Sequence, residues 1–231
     1  MAELVLEALG VGRRLGGRWA LRDVSVAVRR GESVMLHGPN GSGKTTLLRV
    51  LASALSPTTG TVRTFGGEPR ENRRRIGLLS HADGHWDELS GLDNLELARS
   101  LGKFSGSVAE VLDRVGLTSR AGDPVRAYSA GMRKRLAFAR LLLKNPELIL
   151  LDEPYAALDA DGHGFVDELL NSFSGAGRTL IVSTHQTSRV RRFCDRELVL
   201  AEGRLATGHV APGASRDSGP PADSETGSGP A

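Results

Sequence analysis

The stretch Gly38-Pro39-Asn40-Gly41-Ser42-Gly43-Lys44-Thr45 decides how this chain of 231 residues folds. It fits the pattern G-x-x-x-x-G-K-[ST], which is typical of a phosphate-binding loop. The glycines let the backbone curl so that its N–H groups point inward around an anion. Lys44 can reach the β- and γ-phosphates of a nucleotide, and the Thr45 hydroxyl can bind Mg²⁺. We predict that this stretch and Thr46 bind a nucleoside triphosphate.

The residues on either side of the loop support this prediction. The apolar run Ser33-Val34-Met35-Leu36 before the loop indicates a buried strand. After the loop, apolar residues at positions 47, 48, 51, 54 and 55 have the spacing of a helix. The phosphates would then lie at a helix N-terminus, where free N–H groups favour negative charge. A glycine-rich turn that fits the pattern by chance is the alternative.

The composition is that of an ordinary globular protein, with 39% hydrophobic and 25% charged residues. The net charge of +3 could suit an anionic nucleotide or a membrane surface but requires neither. The single cysteine, Cys194, excludes an internal disulfide and a thiolate metal cluster. No apolar run approaches the roughly 18 residues that a membrane-spanning helix needs. We therefore expect a cytosolic chain unless a partner holds it at a membrane.

Strand-like and helical patterns divide the chain into regions. Alternating or continuous apolar runs predict strands near residues 4–9, 24–28, 33–36, 61–65, 76–80, 148–151 and 179–183. Helical spacing dominates from about residue 92 to 143. Continuous apolar strands suit a parallel sheet that is covered on both faces. We predict an α/β domain over residues 1–207, a helical subdomain inserted at about 84–143, and a disordered tail rich in Gly, Pro and Ser at 208–231.

A second informative segment runs from Leu148 to Pro154 and contains two adjacent carboxylates after a buried strand. Such a strand delivers its charges to the carboxyl edge of a parallel sheet, where ligands bind. Asp152 would bind Mg²⁺, and Glu153 is placed to activate the attacking water. A strand followed by a plain acidic turn is the alternative.

A third segment, Tyr128-Ser129-Ala130-Gly131-Met132, precedes a predicted helix. Ser129 can cap that helix, and Gly131 allows a phosphate to approach the free N–H groups. By itself this segment indicates only an N-capped helix.

Together these segments resemble the nucleotide-binding subunits of ATP-binding-cassette (ABC) transporters, which are P-loop hydrolases. The resemblance covers residues 1 to about 206. Residues 38–45 match the Walker A motif and 148–153 match Walker B. Ser129 to Met132 occupy the place of the signature Ser-Gly-Gly-Gln, Ala157-Leu158-Asp159 that of the D-loop, and His185 that of the switch histidine.

The resemblance implies a RecA-like parallel-sheet core, an N-terminal antiparallel β subdomain and a helical subdomain. It also implies a head-to-tail homodimer that binds two ATP molecules with Mg²⁺ and works with integral membrane permease subunits at the cytoplasmic face of the inner membrane. Neither nucleic acid nor the transported substrate would bind this chain. Ser129 and Gly131 would contact ATP held by the partner subunit, Glu153 and His185 would be catalytic, and the metal ligands would be Thr45, Asp152 and His81.

Three positions depart from the common family pattern. Leu15 stands near the place of the aromatic residue that stacks on adenine, and Trp19 is either a substitute or a side chain that packs on the sheet. Met132 replaces the signature glutamine. His81 replaces the glutamine that normally touches Mg²⁺ and water.

His81, Thr184-His185-Gln186 and the stretch 151–159 resemble one branch, the ATPase of the cytochrome c maturation complex that drives haem transfer. The ATPase of another small exporter, for drugs, lipids or polysaccharide, is the alternative within the family. A soluble ABC protein that acts on ribosomes or DNA is a third reading, but such proteins usually carry two cassettes. A non-hydrolysing nucleotide sensor fits poorly with intact Lys44 and Glu153.

Overall fold

The computed structural model describes residues 3–80 and 84–206. An antiparallel sheet contains β1 (Leu4–Leu15), β2 (Arg18–Arg29) and β4 (Thr59–Thr64), in the order β2-β1-β4. Alternation of buried and exposed residues along β2 turns one face of this sheet toward the core.

A second sheet forms the centre of the molecule. Its strands are β3 (Ser33–His37), β5 (Ile76–Leu79), β6 (Leu148–Asp152), β7 (Thr179–Ser183), β8 (Arg196–Ala201) and β9 (Arg204–Leu205), in the order β5-β6-β7-β3-β8-β9. The pairs from β5 to β8 are parallel, and β9 pairs antiparallel with β8. The carboxyl ends of the parallel strands therefore meet at one edge.

The described residues form six α-helices: α1 (Lys44–Leu51), α2 (Gly91–Gly102), α3 (Val108–Arg114), α4 (Ala130–Lys144), α5 (Ala160–Gly175) and α6 (Thr187–Val190). Helices α2, α3 and α4 pack against one another and form the predicted helical insertion. Each is preceded by a serine whose hydroxyl accepts the backbone N–H of the residue three positions further on: Ser90, Ser107 and Ser129.

The central sheet is covered on both faces, as its continuous apolar strands predict. Alternate residues of β6 belong to two separate clusters. Leu148 and Leu150 pack with α1 and the antiparallel sheet, whereas Ile149 and Leu151 pack with α4 and α5. Burying each such leucine or isoleucine side chain contributes about 1.5–3 kcal/mol. Two-sided burial thus explains why these strands lack the alternation seen in β2.

The structure changes several predicted boundaries. Strand β1 continues to Leu15 instead of ending near Leu9, because its pairing with β2 and β4 continues past irregularities in the register. Strand β4 begins at Thr59 instead of near residue 61 and includes Gly60, where the backbone of Gly10 leaves no room for a Cβ atom. Helix α5 and strands β8 and β9 were not predicted, because charged and glycine residues interrupt their apolar patterns.

In the described part of the chain, no helix is both long enough and apolar enough to cross a bilayer. The predicted tail, 208–231, lies outside the described residues.

Candidate nucleotide-binding site

A cleft of 260 Å³ opens where β3 and β6 end at the carboxyl edge of the central sheet. Its walls come from segments that are far apart in the sequence. They are Ala20, residues 40–41 and 43–46 of the phosphate loop, Asp152, Glu153 and His185. Hence the fold brings the first and second informative segments together with the predicted catalytic histidine.

Two glycines of the loop adopt backbone conformations that other residues rarely take. Gly38 has a φ of 147° and Gly43 a φ of 108°. A Cβ atom on Gly43 would lie 2.5 Å from the carbonyl oxygen of Ala20, and one on Gly38 would collide with the carbonyl oxygen of Leu200. The loop therefore needs glycine for space as well as for its positive φ angles.

The Lys44 side chain is held over the loop and is only 7% exposed. Its ammonium group donates hydrogen bonds to the carbonyl oxygens of Gly38, at 2.8 Å, and Pro39, at 3.1 Å. The nearby Ser42 hydroxyl is buried and has no hydrogen-bond partner among the described residues. A buried cation, an unpartnered hydroxyl and the start of α1 are donors that suit a phosphate group.

Asp152 is 2% exposed and is fixed by the neighbouring strand. Ser183, its register partner on β7, donates its hydroxyl to Asp152 Oδ1 at 2.5 Å. Oδ2 is buried and has no partner within the described residues. A buried carboxylate oxygen without a partner is costly unless a ligand satisfies it. Together with the Thr45 hydroxyl in the same cleft, it is a hard oxygen donor of the kind that Mg²⁺ prefers.

Glu153 and His185 lie in direct contact. The Nε2 atom of His185 is 3.2 Å from Glu153 Oε1, and the His185 backbone N–H donates to Oε2 at 3.3 Å. Glu153 has a positive φ of 47°, and its N–H donates to the carbonyl oxygen of Ser183. A non-glycine residue held in this conformation costs about 1–3 kcal/mol and often marks a functional site. This backbone aims the carboxylate at the cleft.

A cluster behind the cleft, which the sequence did not indicate, joins the segments that follow these two residues. Asp167 on α5 accepts the Tyr155 hydroxyl at 2.7 Å, and Arg189 and Arg192 donate to the same carboxylate. Burial opposes ionisation of Asp167, but hydrogen bonds from Arg189 and Tyr155 bring its pKa below the usual value. Tyr155 closely follows Glu153 in the sequence, and Arg189 follows His185. Asp167 therefore connects the segment that contains Glu153 to the segment that contains His185. Charged residues this far apart in the sequence form no local pattern from which their contact could be predicted.

The signature residues lie away from this cleft. Ser129 is exposed and caps α4, its hydroxyl accepting the N–H of Met132 at 3.2 Å. Gly131 lies near the carbonyl oxygen of Ala157 in the D-loop stretch. Neither Ser129 nor Gly131 lines the cleft of its own chain.

Leu15 and Trp19, the two residues near the expected adenine contact, do not line the cleft. Both side chains are exposed, and the Arg14 guanidinium lies 5.2 Å from the Trp19 ring centre. His81, predicted as a metal ligand, falls outside the described residues.

Residues 21–156 match the family described as ABC transporter. This chain belongs to that family. It is 34% identical over 212 residues to the uncharacterized ABC transporter ATP-binding protein YdbJ of Bacillus subtilis, which covers 89% of this chain and 69% of that protein. It is 33% identical over 209 residues to Nod factor export ATP-binding protein I of Ralstonia nicotianae, covering 87% and 65%. The chain thus spans about two thirds of the length of these relatives.

Solved structures of ABC proteins share the fold. The ATP-binding subunit of an ABC transporter has a TM-score of 0.79 at 27% identity, covering 87% of this chain and 88% of that one. The cassette MJ0796, in a dimeric post-hydrolysis state bound to ADP and Pi, has a TM-score of 0.78 at 28% identity, covering 87% and 96%. The predicted ABC ATPase fold and the assignment to ATPases are confirmed.

Proposed function

We propose that this ABC ATPase is the ATP-hydrolysing subunit of a membrane export complex and acts at the cytoplasmic face of the inner membrane. The observation that carries the proposal is the convergence in one cleft of Lys44, the unpartnered oxygen of Asp152 and the Glu153–His185 contact. Residues 1–207 would form one nucleotide-binding domain, with the helical subdomain at 84–143 facing a permease. Residues 208–231 would be a tail outside that domain.

The cleft residues have distinct roles in the proposed reaction. Lys44 and the loop N–H groups hold the triphosphate, so that the γ-phosphorus faces Glu153. Glu153 takes a proton from water as the water oxygen bonds to the γ-phosphorus, and the bond from that phosphorus to the bridging oxygen breaks, releasing ADP and phosphate. His185 orients Glu153 through their contact. Asp152 and Thr45 would hold Mg²⁺, which would supply positive charge against the phosphate oxygens.

Replacement of the proposed base tests this assignment. We expect Glu153→Gln to lower the rate of phosphate release by roughly 10²- to 10⁴-fold, because the amide cannot accept the proton. ATP affinity should stay within a few-fold, and ATP should convert the variant into a stable dimer on size-exclusion chromatography. Glu168→Gln, which changes an exposed glutamate on α5, is the matched control. Turnover of Glu153→Gln at the wild-type rate would contradict the role.

The exposed position of Ser129 supports a site that is completed by a second copy of the chain. In a head-to-tail dimer, Ser129 and Gly131 of one subunit would face the loop of the other. The Ser129 hydroxyl accepts a bond from α4 and can still donate one to a phosphate oxygen.

Mixing two inactive variants tests this arrangement. A heterodimer of Lys44→Ala and Ser129→Arg chains would retain one intact composite site, so we expect phosphate release to reappear on mixing. The control mixes Lys44→Ala with a chain carrying both changes, which leaves the Lys44 lesion in every site. Equal activity of the two mixtures would refute a site that is shared between subunits.

For the transported molecule, we propose haem transfer in cytochrome c maturation, on the resemblance of His81, residues 184–186 and residues 151–159 to that branch. The names of relatives favour a second candidate, export of another small molecule. Among them are the Nod factor export proteins and daunorubicin resistance protein DrrA3 of Streptomyces coeruleorubidus, 36% identical over 214 residues. Pull-down of the permease from native membranes, with haem absorbance as readout, separates the two. A permease preparation without haem would reject the first candidate.

A further inference from the structure

A second cavity, of 620 Å³, lies at the amino edge of the central sheet, opposite the nucleotide cleft. It is bounded by the ends of α2, α4 and α5 and by the start of β6. Five cationic side chains and one carboxylate, that of Glu110, line it. We call it the basic cavity, and its cations are Arg74, Lys103, Arg114, Lys144 and Arg178.

None of these five cations forms an ion pair within residues 3–80 and 84–206. Two of them are oriented by neutral oxygens. Arg114 donates to the Ser172 hydroxyl at 2.9 Å, and Arg178 donates to the side-chain oxygen of Asn145 at 2.8 Å. Their guanidinium groups are therefore positioned without being neutralised.

Cations just outside the basic cavity, in contrast, form ion pairs with a carboxylate. Arg75, next to Arg74, contacts Glu147 with an Nε–Oε1 distance of 2.6 Å. Arg30 contacts the same carboxylate at 2.9 Å, and the pKa of Glu147 is lowered to about 2 by Arg75 and Arg30 against the effect of burial. Glu147 thus pairs with the structural arginines, and no carboxylate among the described residues pairs with the arginines of the cavity.

The negative C-terminal ends of nearby helices offset only part of this positive charge. Lys103, Arg114 and Lys144 lie at the C-terminal ends of α2, α3 and α4, and Arg178 follows the end of α5. A helix C-terminus carries the equivalent of about half a negative charge. Four such ends balance about two cations and Glu110 balances a third, so an excess of about two positive charges remains.

Lys144 carries its charge in an unfavourable environment. Its pKa is lowered to about 8, first by burial and then by the nearby charges of Arg140 and Arg73. A lysine whose charge is disfavoured in this way gains from an anion beside it.

We propose that the basic cavity binds a multiply charged, phosphate-bearing anion. Its volume suits a small phosphorylated molecule or a lipid headgroup. Positioned guanidinium groups bind phosphate oxygens in pairs, and Lys144 adds a point charge. The site shares no residue with the nucleotide cleft, so this proposal does not rest on the proposed function.

The test titrates inorganic tripolyphosphate into the full chain by calorimetry, with ADP in excess so that the nucleotide cleft is filled. We expect one tripolyphosphate per chain at the basic cavity. The double variant Lys144→Met/Arg178→Gln should weaken this binding at least tenfold. The control Arg63→Gln removes an exposed cation from β4 and should change the affinity less than twofold.

A change of pH distinguishes this site from nonspecific attraction. Binding should weaken as pH rises from 7 to 9, because Lys144 loses its charge near pH 8 while the facing arginines 73, 74, 114, 140 and 178 keep theirs. In Lys144→Arg the affinity should stay within a few-fold and depend less on pH. Ionisation of tripolyphosphate affects both proteins equally.

Co-sedimentation with vesicles identifies the source of the phosphate group. Binding to phosphatidic acid vesicles but not to phosphatidylcholine, lost in the double variant, would indicate a lipid headgroup. Binding of tripolyphosphate alone would indicate a soluble anion. No binding of either probe, or equal losses in the double variant and Arg63→Gln, would overturn the proposal. Unfolding temperatures of the variants within a few degrees of wild type would show that lost binding is not lost folding.

Discussion

The two edges of the central sheet both gather positive charge, but they use different chemistry. At the carboxyl edge, backbone N–H groups and one buried lysine surround the cleft, and two carboxylates stand opposite. At the amino edge, five long cationic side chains from separate elements line the basic cavity. A backbone cradle is rigid and keeps its shape when one side chain changes, whereas a cluster of arginines and lysines depends on each charge and on salt.

The surroundings of one lysine at each edge show the same difference. Lys44 is fixed by the carbonyl oxygens of Gly38 and Pro39. Lys144 is disfavoured by burial and by like charges, and its pKa is lowered accordingly. The first lysine belongs to a preorganised site, and the second belongs to a site whose charge an anion would stabilise.

The largest expected effect is on ATP affinity, when one cation is removed at each edge in turn. Lys44→Ala should weaken ATP binding roughly 10- to 100-fold, because charge-assisted hydrogen bonds contribute about 1.5–3 kcal/mol. Arg178→Gln should leave ATP affinity within twofold. Fluorescence titration with a labelled ATP analogue measures both. If Arg178→Gln weakened ATP binding as much as Lys44→Ala, the two edges would not be separate sites.

Changing the backbone cradle itself is expected to affect folding stability. Gly43→Ala forces a Cβ atom to 2.5 Å from the Ala20 carbonyl at a φ of 108°, so crowding of about 1–3 kcal/mol adds to the backbone strain. Gly41→Ala also has a positive φ but meets no atom within 4 Å, and should cost only about 1–2 kcal/mol. Urea denaturation of both variants measures the difference. Equal losses of stability would mean that space at Gly43 is unimportant.

The smallest effect concerns the paired cations beside the basic cavity. Because the pKa of Glu147 falls from 4.5 to about 2 on folding, its contribution is complete above pH 4.5 and is lost as pH falls toward 2. Glu147→Gln should therefore lower stability at pH 7 by less than ~1 kcal/mol, since the pair is partly exposed, and should flatten the acid side of the stability curve. Urea denaturation between pH 7 and 3 checks this, with Glu168→Gln as control. An unchanged acid slope would contradict the pairing.

Much of the nucleotide site could be predicted from the sequence. The loop, Asp152 and Glu153 follow continuous apolar strands, and parallel strands carry the residues after them to a common edge. His185 was predicted from its resemblance to a family position, and the structure adds its contact with Glu153. The signature role of Ser129, the metal role of His81 and the adenine contact stay predictions.

Other features could not be predicted because their residues share no local pattern. Asp167 reaches Tyr155, Arg189 and Arg192 only because α5 packs beneath the edge of the sheet. The sequence pattern does not predict helix α5, because Gly162 and Gly164 and the charges around them weaken its apolar periodicity. Packing against the sheet stabilises such a helix where intrinsic propensity is low.

By itself, the sequence determined the backbone cradle from Gly38 to Thr45, the buried strands around it and the capped helices. These features depend on neighbouring residues, through φ angles, periodicity and hydrogen bonds over a few positions. The Glu153–His185 contact, the Asp167 cluster and the basic cavity depend instead on how the chain packs. Their charges come from segments as far apart as Arg74 and Arg178, and chain folding alone brings such distant side chains within reach of one another.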